Sequence, residues 1–538
     1  MKFLNKNEWS SIVFFLFIGC LYIIGWSMQS HLALNHDVGW LLKVAKRLLN
    51  GGHDVGSFFE NNLPLIIYLY LPALLLSKIT SLNILLSFRI YIYILASISF
   101  LICYKLSKRI FHNAAQNLFV KRVFMLTLLY CFLIHPAYLF GQREHLVLIF
   151  TMPYFFMMAI RFRGEEIKAS SSLLIGLFSG LGFLIKPYFL LPLILLECYY
   201  LFLQRKIHIF RTEILAIVIV FITYFLCLFT INLNYIEIVL PYIWRWYYLG
   251  NSYPAFDLMV NGRSLFCLFL AVVFFAFPKK ENIELLQVLI IALIGFWLSY
   301  FVQGFGWSYH ILPAFSLALL IAVLLFVSVS IEQASQSLKT SILSLSILSL
   351  FFILEVAVIW DDYKKHELSA TLLKKWHDEL LLNKTNNAVY ALTTAAPFFP
   401  ASYYIPIKVS TRFSSFWMLP SMVKWSYMAK TGISQEQRER DVKFLGDMVA
   451  QDLRTIKPGL VFVDVSPKKW LFQWIQKVGF LQYRYKYLPF NYLDFFSQNQ
   501  QFNREWKNYY YYKTADIDGT LYAIYQRKQV NAVAKNLQ

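Results

Sequence analysis

SIVFFLFIGCLYIIGWSMQ, residues 11–29, carries no charged side chain over a length sufficient to cross a bilayer core as a helix. Lys2 and Lys6 precede it. The run is long for the apolar region of a signal peptide and has no small-x-small cleavage site before Gln29. The expectation is an uncleaved first span with its N-terminal side inside. Similar runs recur near 87–104, 122–140, 146–160, 170–185, 188–203, 214–231, 262–277, 285–302, 311–330 and 341–360. Together they predict a polytopic α-helical membrane protein of about 11 transmembrane helices.

Composition agrees. Of 538 residues 58% are hydrophobic and only 15% charged, against about a quarter charged in soluble domains. The 50 Phe and 35 Tyr suit aromatic belts at membrane interfaces. A net charge of +20 would fit nucleic-acid binding, but the basic residues sit in short clusters between apolar runs, so no nucleic-acid partner is expected. Six cysteines (Cys20, Cys103, Cys131, Cys198, Cys227 and Cys267) lie in or beside apolar segments without a CxxC spacing. That argues against a disulfide framework or a thiolate metal site.

The loops set the sidedness. Lys105, Lys108, Arg109, Lys121 and Arg122 form one basic group; Arg161, Arg163 and Lys168 another; Arg205, Lys206 and Arg211 a third; Lys279 and Lys280 a fourth. The positive-inside rule places all four in the cytoplasm. The loops 30–86, 141–145, 186–187, 232–261 and 303–310, and everything beyond Trp360, then face outward. Leu63–Ser77 is apolar but of marginal length, contains Pro64 and Pro72, and as a span would invert every later loop. It is read as a re-entrant or interfacial helix within a large first outer loop. The chain thus divides into a membrane module, 1–360, and a soluble extracytoplasmic α/β domain, 361–538. Helices are expected at 364–382, 435–455 and 468–478, and strands at Ala388–Thr394, Gly459–Val465 and Thr520–Tyr525. Tyr509–Tyr512 fits an edge strand or a packed loop.

Polar residues kept near membrane depth mark pathways or sites, and here they accumulate on the outer side. The first outer loop holds Asn35-His36-Asp37, His53-Asp54 and Glu60-Asn61-Asn62-Leu63-Pro64. Gln142-Arg143-Glu144-His145 is wedged between two spans, Lys186-Pro187 ends another, and Arg245 lies among Trp244, Trp246, Tyr247 and Tyr248. Residues 303–310 read QGFGWSYH and include Tyr309 and His310. Carboxylates to take a hydroxyl proton, cations to meet a phosphate leaving group, and aromatics to stack on sugars suit sugar transfer from a polyprenyl phosphate. Plainer roles remain open for each. Asp37 fits as a helix cap, Arg143 and Glu144 as a structural ion pair, Lys186 as a snorkelling cation and Arg245 as a cation–π anchor. Tyr309 and His310 fit a tight glycine-bounded loop, and His53 and Asp54 read as ordinary loop residues.

The order of these stretches resembles the GT-C glycosyltransferases, in particular bacterial protein-mannosyltransferase and aminoarabinose-transferase-like (glycosyltransferase family 39-like) proteins. The resemblance rests on Asp37-Val-Gly-Trp-Leu-Leu, Glu60-Asn-Asn-Leu-Pro-Leu, Gly141-Gln-Arg-Glu-His-Leu, Gly182-Phe-Leu-Ile-Lys-Pro and Gly306-Trp-Ser-Tyr-His. It implies an inverting enzyme of a bacterial inner membrane with a polyprenyl-phosphate sugar donor and a glycan, lipid or protein acceptor. Asp37 would be the catalytic base and Glu144 the second-loop acid. Glu60, Asn62, Arg143, His145, Lys186, Arg245, Tyr309 and His310 would line the substrate site. Two departures stand out. Asn62 and Leu63 precede a single Pro64 where the aminoarabinose group carries a Lys before two prolines, so Arg143, Lys186 or Arg245 would have to meet the phosphate. Val38 follows Asp37 where the mannosyltransferases carry an Asp-Glu pair. No DxD pattern occurs in these loops, so neither a divalent metal nor another cofactor is expected. The competing readings are a transporter or flippase of lipid-linked saccharides, without a convincing inverted repeat to support it, and a non-catalytic membrane assembly protein.

Overall fold

The computed structural model describes residues 6–111, 115–205, 210–247, 253–276, 282–333, 338–381, 386–395, 398–427, 432–469, 472–477 and 483–528. In chain order the helices are α1 Lys6–His31, α2 His36–Leu49, α3 Leu65–Thr80, α4 Ile84–Ile110, α5 Ala115–Leu133, α6 Arg143–Phe162 and α7 Ala169–Phe183. There follow α8 Leu190–Gln204, α9 Thr212–Ile231, α10 Leu240–Trp246, α11 Ala255–Met259, α12 Gly262–Ala276, α13 Ile283–Gln303, α14 Leu312–Gln333 and α15 Leu338–His366. The remainder are α16 Ala370–Leu380, α17 Phe398–Ala401, α18 Leu419–Lys424, α19 Gln435–Ile456, α20 Tyr492–Phe496 and α21 Gln500–Trp506.

Each of the apolar runs marked in the sequence lies mainly in a helix, but the run at 122–140 outlasts α5, which ends at Leu133, and continues through a turn and a short 3-10 stretch, Ala137–Leu139. Among the described residues seven helices are long and apolar enough to cross a membrane, which makes this a multi-pass membrane protein. Leu65–Thr80, Ala169–Phe183, Gly262–Phe275 and Leu312–Ser328 are shorter apolar helices. Lys206, Lys279 and Lys280, counted among the basic loops, lie outside the described residues.

The chain folds as two compact units. The first comprises Met1–Asn35, Leu65–Cys227 and Tyr253–Glu367, and is helical. At its centre is α6, buried at every position from Arg143 to Ile160, as expected of a helix apolar all round. Helices α4, α7 and α13 pack against it. Ser99 Oγ donates to Ile149 O at 2.6 Å and Ser179 Oγ to Phe150 O at 2.9 Å, so small polar residues bring neighbouring helices onto it. Around this core, α1, α9 and α15 present large apolar side chains outward, among them Leu16, Leu226 and Ile353, each more than half exposed. Such surface is stable against lipid and not against water.

One end of this bundle is basic and ion-paired. Arg161 Nη2 lies 3.1 Å from Glu213, Arg163 Nε 3.0 Å from Glu284, and Arg109 Nη2 2.6 Å from Glu165. These residues sit where α4 and α6 end and where α9 and α13 begin. The start of α6, at Arg143, is therefore about 27 Å away along the helix axis.

The second unit gathers His36–Pro64, Leu228–Ser252 and Leu368–Gln538. The first two segments, read above as loops of the membrane module, cluster with the C-terminal residues. The strands are β1 Ala388–Leu392, β2 Lys408–Val409, β3 Leu460–Asp464, β4 Gln473–Lys477, β5 Tyr483–Tyr487, β6 Tyr509–Ile517 and β7 Thr520–Arg527. Five form one sheet in the order β2-β1-β3-β7-β6. β1 pairs in parallel with β2 and β3, and β7 antiparallel with β3 and β6. β1 and β3 are buried at every position, as parallel strands covered on both faces must be. The β6–β7 turn is made by Asp518 and Gly519, both at positive φ, the combination a two-residue hairpin demands.

The expected strands at 388, 459 and 520 are therefore present, the helix at 435–455 is α19 capped by Ser434, and Tyr509–Tyr512 opens the edge strand β6. The expected helix at 364–382 breaks at Glu367–Ser369, where Ser369 caps α16. The helix expected at 468–478 is wrong. Its described part carries β4, which pairs antiparallel with β5 in a separate two-stranded sheet. Residues 470–471 and 478 lie outside the described residues.

Candidate active site

In the helical unit three distant segments meet at the end opposite the paired basic loops. Gly141, at φ +79, turns the chain into α6 and would bring any Cβ within 2.5 Å of Phe88. Glycine is therefore required, and Arg143 and Glu144 follow in the first helical turn, where the helix dipole favours the carboxylate. Lys186 precedes Pro187, which disfavours helical geometry at the residue before it; the chain there is extended, at φ −142 and ψ 145. The third segment begins at Gln303, the last residue of α13. Gly304, at φ +71, ends that helix, and the loop runs through Trp307, Tyr309 and His310 to α14.

Lys186 Nζ donates to Glu144 Oε1 and, at 3.0 Å, to Gln303 Oε1. The Glu144 side chain is fully buried and the Lys186 side chain 12% exposed. Glu144 Oε2 has no hydrogen-bond partner among the described residues. Both cations lie against one ring: Lys186 Nζ is 5.6 Å and Arg143 Cζ 5.7 Å from the Tyr309 centroid. Tyr309 stacks parallel to Trp307 at 6.2 Å and meets His310 edge-on at 4.5 Å. Burial first, then the charges of Lys186 and Arg143, holds His310 well below the usual imidazole range, so it is neutral and available as a hydrogen-bonding group. Its Nδ1 has no partner among the described residues. The two cations lie beside one buried carboxylate under half-buried aromatics, an arrangement suited to a phosphate group.

His145 is used differently. Gly141 N–H donates to its Nδ1 at 2.9 Å, and its Nε2 lies 2.8 Å from Phe132 O, which fixes the Nε2–H tautomer. Both ring nitrogens serve the backbone, so His145 holds the turn before α6 instead of offering a group to a substrate.

In the second unit, Asp37 lies inside the first turn of α2, which begins at His36, whereas a cap at Asp37 would require the helix to begin at Val38. Its Oδ1 is 3.4 Å from His36 Nε2, and the side chain is 27% exposed, so solvent reaches it. Glu60 and Asn62 are together but occupied with each other. Glu60 accepts from Asn62 N at 2.8 Å, from Asn62 Nδ2 and from Trp40 Nε1, at 1% exposure. Arg245 forms a two-pronged pair with Asp441 of α19, at 2.8 and 3.0 Å, and Trp246 Nε1 donates to the same carboxylate at 2.7 Å. That binding fixes α10 to α19.

In sequence Gln303 reads only as the start of a loop; its place as the last helical residue before a glycine is the signal that marks it. Asp441 carried none.

No protein-family model and no curated protein sequence matches the chain. Among solved structures the chain is similar to the Archaeoglobus fulgidus oligosaccharyltransferase in its apo form, with a TM-score of 0.43, 11% identity, and coverage of 84% of this chain and 69% of that one. A structure of that oligosaccharyltransferase with Zn and sulfate gives a TM-score of 0.45, 12% identity, and coverage of 95% and 72%.

Proposed function

We propose that the protein transfers a sugar from a polyprenyl-phosphate-linked donor to an envelope or secreted acceptor at the outer face of a bacterial inner membrane. The observation that carries this reading is the placement of Arg143 and Lys186 against the Tyr309 ring, beside the buried Glu144, at one end of a membrane-length helix. A lipid phosphate brought there meets two cations, while lipid-facing helices accept its prenyl chain. In this reading Asp37 is the general base. Its carboxylate takes the proton of the acceptor hydroxyl, that oxygen attacks the anomeric carbon with inversion, and the bond to the phosphate oxygen breaks. The charge left on the polyprenyl phosphate is held by Arg143 and Lys186, with Gln303 keeping Lys186 in place. Tyr309 and Trp307 offer ring faces to the sugar. Glu60, Asn62, Arg245 and His145 take structural roles.

The accompanying architecture is eleven spans, with α3 re-entrant or interfacial, a module over 1–360, and residues 361–538 as an extracytoplasmic domain. The reaction as written requires no cofactor or divalent metal. Its partners are the lipid-linked sugar, a glycan, lipid or protein acceptor, and membrane lipid.

The test compares envelope glycans by mass spectrometry from a deletion strain complemented with wild type, Asp37→Asn or Arg143→Ala at matched membrane levels. We expect Asp37→Asn to insert and fold but to lose about 10²–10⁴-fold in transfer rate, and Arg143→Ala to need more donor. An Asp37→Asn strain indistinguishable from wild type removes Asp37 as base and favours transport or assembly instead.

A further inference from the structure

Lys43, Lys46 and Arg47 of α2 lie in a loop that the charge pattern puts outside, where the positive-inside rule disfavours them. In the structure they meet further positive charge. Arg47 Nη1 donates to Ser57 O at 2.9 Å and its Nη2 to Thr411 O at 2.9 Å and Val409 O at 3.4 Å. These bonds hold α2 against β2 and bring Lys408 alongside. Tyr403 Oη donates to Gly39 O at 2.9 Å, one helical turn before Lys43. Lys43 and Arg47, four residues apart, share a helix face.

The lysines of this group are uncompensated. The side chains of Lys43, Lys46 and Lys408 make no hydrogen bond or ion pair among the described residues. The nearby carboxylate, Asp452, is already taken by Arg412, at 2.8 Å from Nε and 2.7 Å from Nη2, and by Tyr390 Oη at 3.2 Å. Lys43 is half-buried. Burial first, then Arg47, Lys46 and Lys408, pushes its ammonium down to about 7. A half-buried ammonium among like charges either sheds its proton or gains an anion.

We infer that Lys43, Arg47 and Lys408, with Lys46 at the rim, form a binding site for a phosphate group. The group belongs to a phosphate ester, either on a water-soluble saccharide or on the headgroup of an anionic lipid. The ammonium groups of Lys43, Lys46 and Lys408 can donate to its three or four acceptor oxygens, while Arg47, its terminal nitrogens held by backbone carbonyls, adds fixed positive charge. The site does not depend on the sugar-transfer reading, since none of its residues has a role there.

The experiment uses the full-length protein in phosphatidylcholine nanodiscs and follows thermal unfolding at fixed ionic strength. Chloride is compared with inorganic phosphate, and phosphatidylcholine discs with discs containing phosphatidylglycerol. We expect phosphate or phosphatidylglycerol to raise the wild-type Tm by several degrees, and the rise to vanish in Lys43→Gln/Lys408→Gln. A rise with inorganic phosphate in phosphatidylcholine discs assigns the site to a soluble phosphate ester; a rise only with phosphatidylglycerol assigns it to a lipid headgroup. Without either anion the double variant should be at least as stable as wild type, because like charges have been removed. Binding should also take up protons near pH 8, read as a dependence of calorimetric heat on buffer ionisation, and affinity should fall as pH rises above about 7. Equal shifts in wild type and variant, no shift with either anion, or a variant destabilised in chloride would each overturn the proposal.

Discussion

Asp54 is 5% exposed, and its Oδ1 has no hydrogen-bond partner among the described residues. Burial first, then the charge of Glu60, pushes its carboxyl up to about 7. Six residues on, Glu60 is more deeply buried yet receives three donors, so two acids of one loop differ through their partners. A carboxyl with a raised folded pKa binds more protons folded than unfolded between about pH 4 and 7, so stability falls as pH rises through that window. We expect Asp54→Asn to remove the slope, leaving stability unchanged near pH 4 and raising it by a few kcal/mol at pH 8. Denaturant titrations at both pH values check this. The sequence offered Asp54 only as an ordinary loop residue, because burial of a loop carboxyl depends on what packs over it. It did single out Arg143, Glu144, Lys186, Tyr309 and His310, since charged and aromatic residues at the ends of apolar runs are conspicuous. That three segments converge is a tertiary fact. His145 looked like its neighbours in sequence, and only the positions of Gly141 N and Phe132 O show that its ring is occupied.

Helices and strands were legible to the extent that one periodicity dominated. The apolar runs could become little else than helices, since in lipid the backbone must satisfy its own hydrogen bonds. Residues 472–477 failed because a short, mixed apolar stretch fits either period, and the choice of β4 depended on β5 being available to pair. Helix packing in the bundle turns on small residues that no run-length reading detects. A Cβ on Gly295 of α13 would fall 2.4 Å from Pro192 Cα in α8, a backbone neighbour that cannot move aside cheaply. Gly295→Ala should therefore separate α13 from α8 and destabilise the helical unit by about 1–3 kcal/mol, read as a lower unfolding temperature in detergent. Unchanged stability would mean that the two helices slide apart freely.

Across the whole chain, each unit is assembled from three separated segments. The sidedness drawn from the basic loops is tested by single cysteines placed after the six native ones are replaced. A membrane-impermeant maleimide should label Lys374→Cys in intact cells and Glu166→Cys only after permeabilisation; the reverse pattern would invert the topology. Membrane residence as many helices was legible in the chain alone, because long uncharged runs in a chain 58% hydrophobic are not stable in water. Strands of the C-terminal region were legible there too, from apolar stretches such as Leu460–Val463, whereas their order in the sheet came from the structure. Three facts came from folding in space: 36–64 and 228–252 cluster with the C-terminal residues, Arg245 serves Asp441, and Lys186 reaches Glu144 and Gln303. The reason is physical. Burial in lipid depends on local composition, which a linear chain displays, whereas pairing of a charge depends on partners whose spacing in sequence ranges from tens to hundreds of residues.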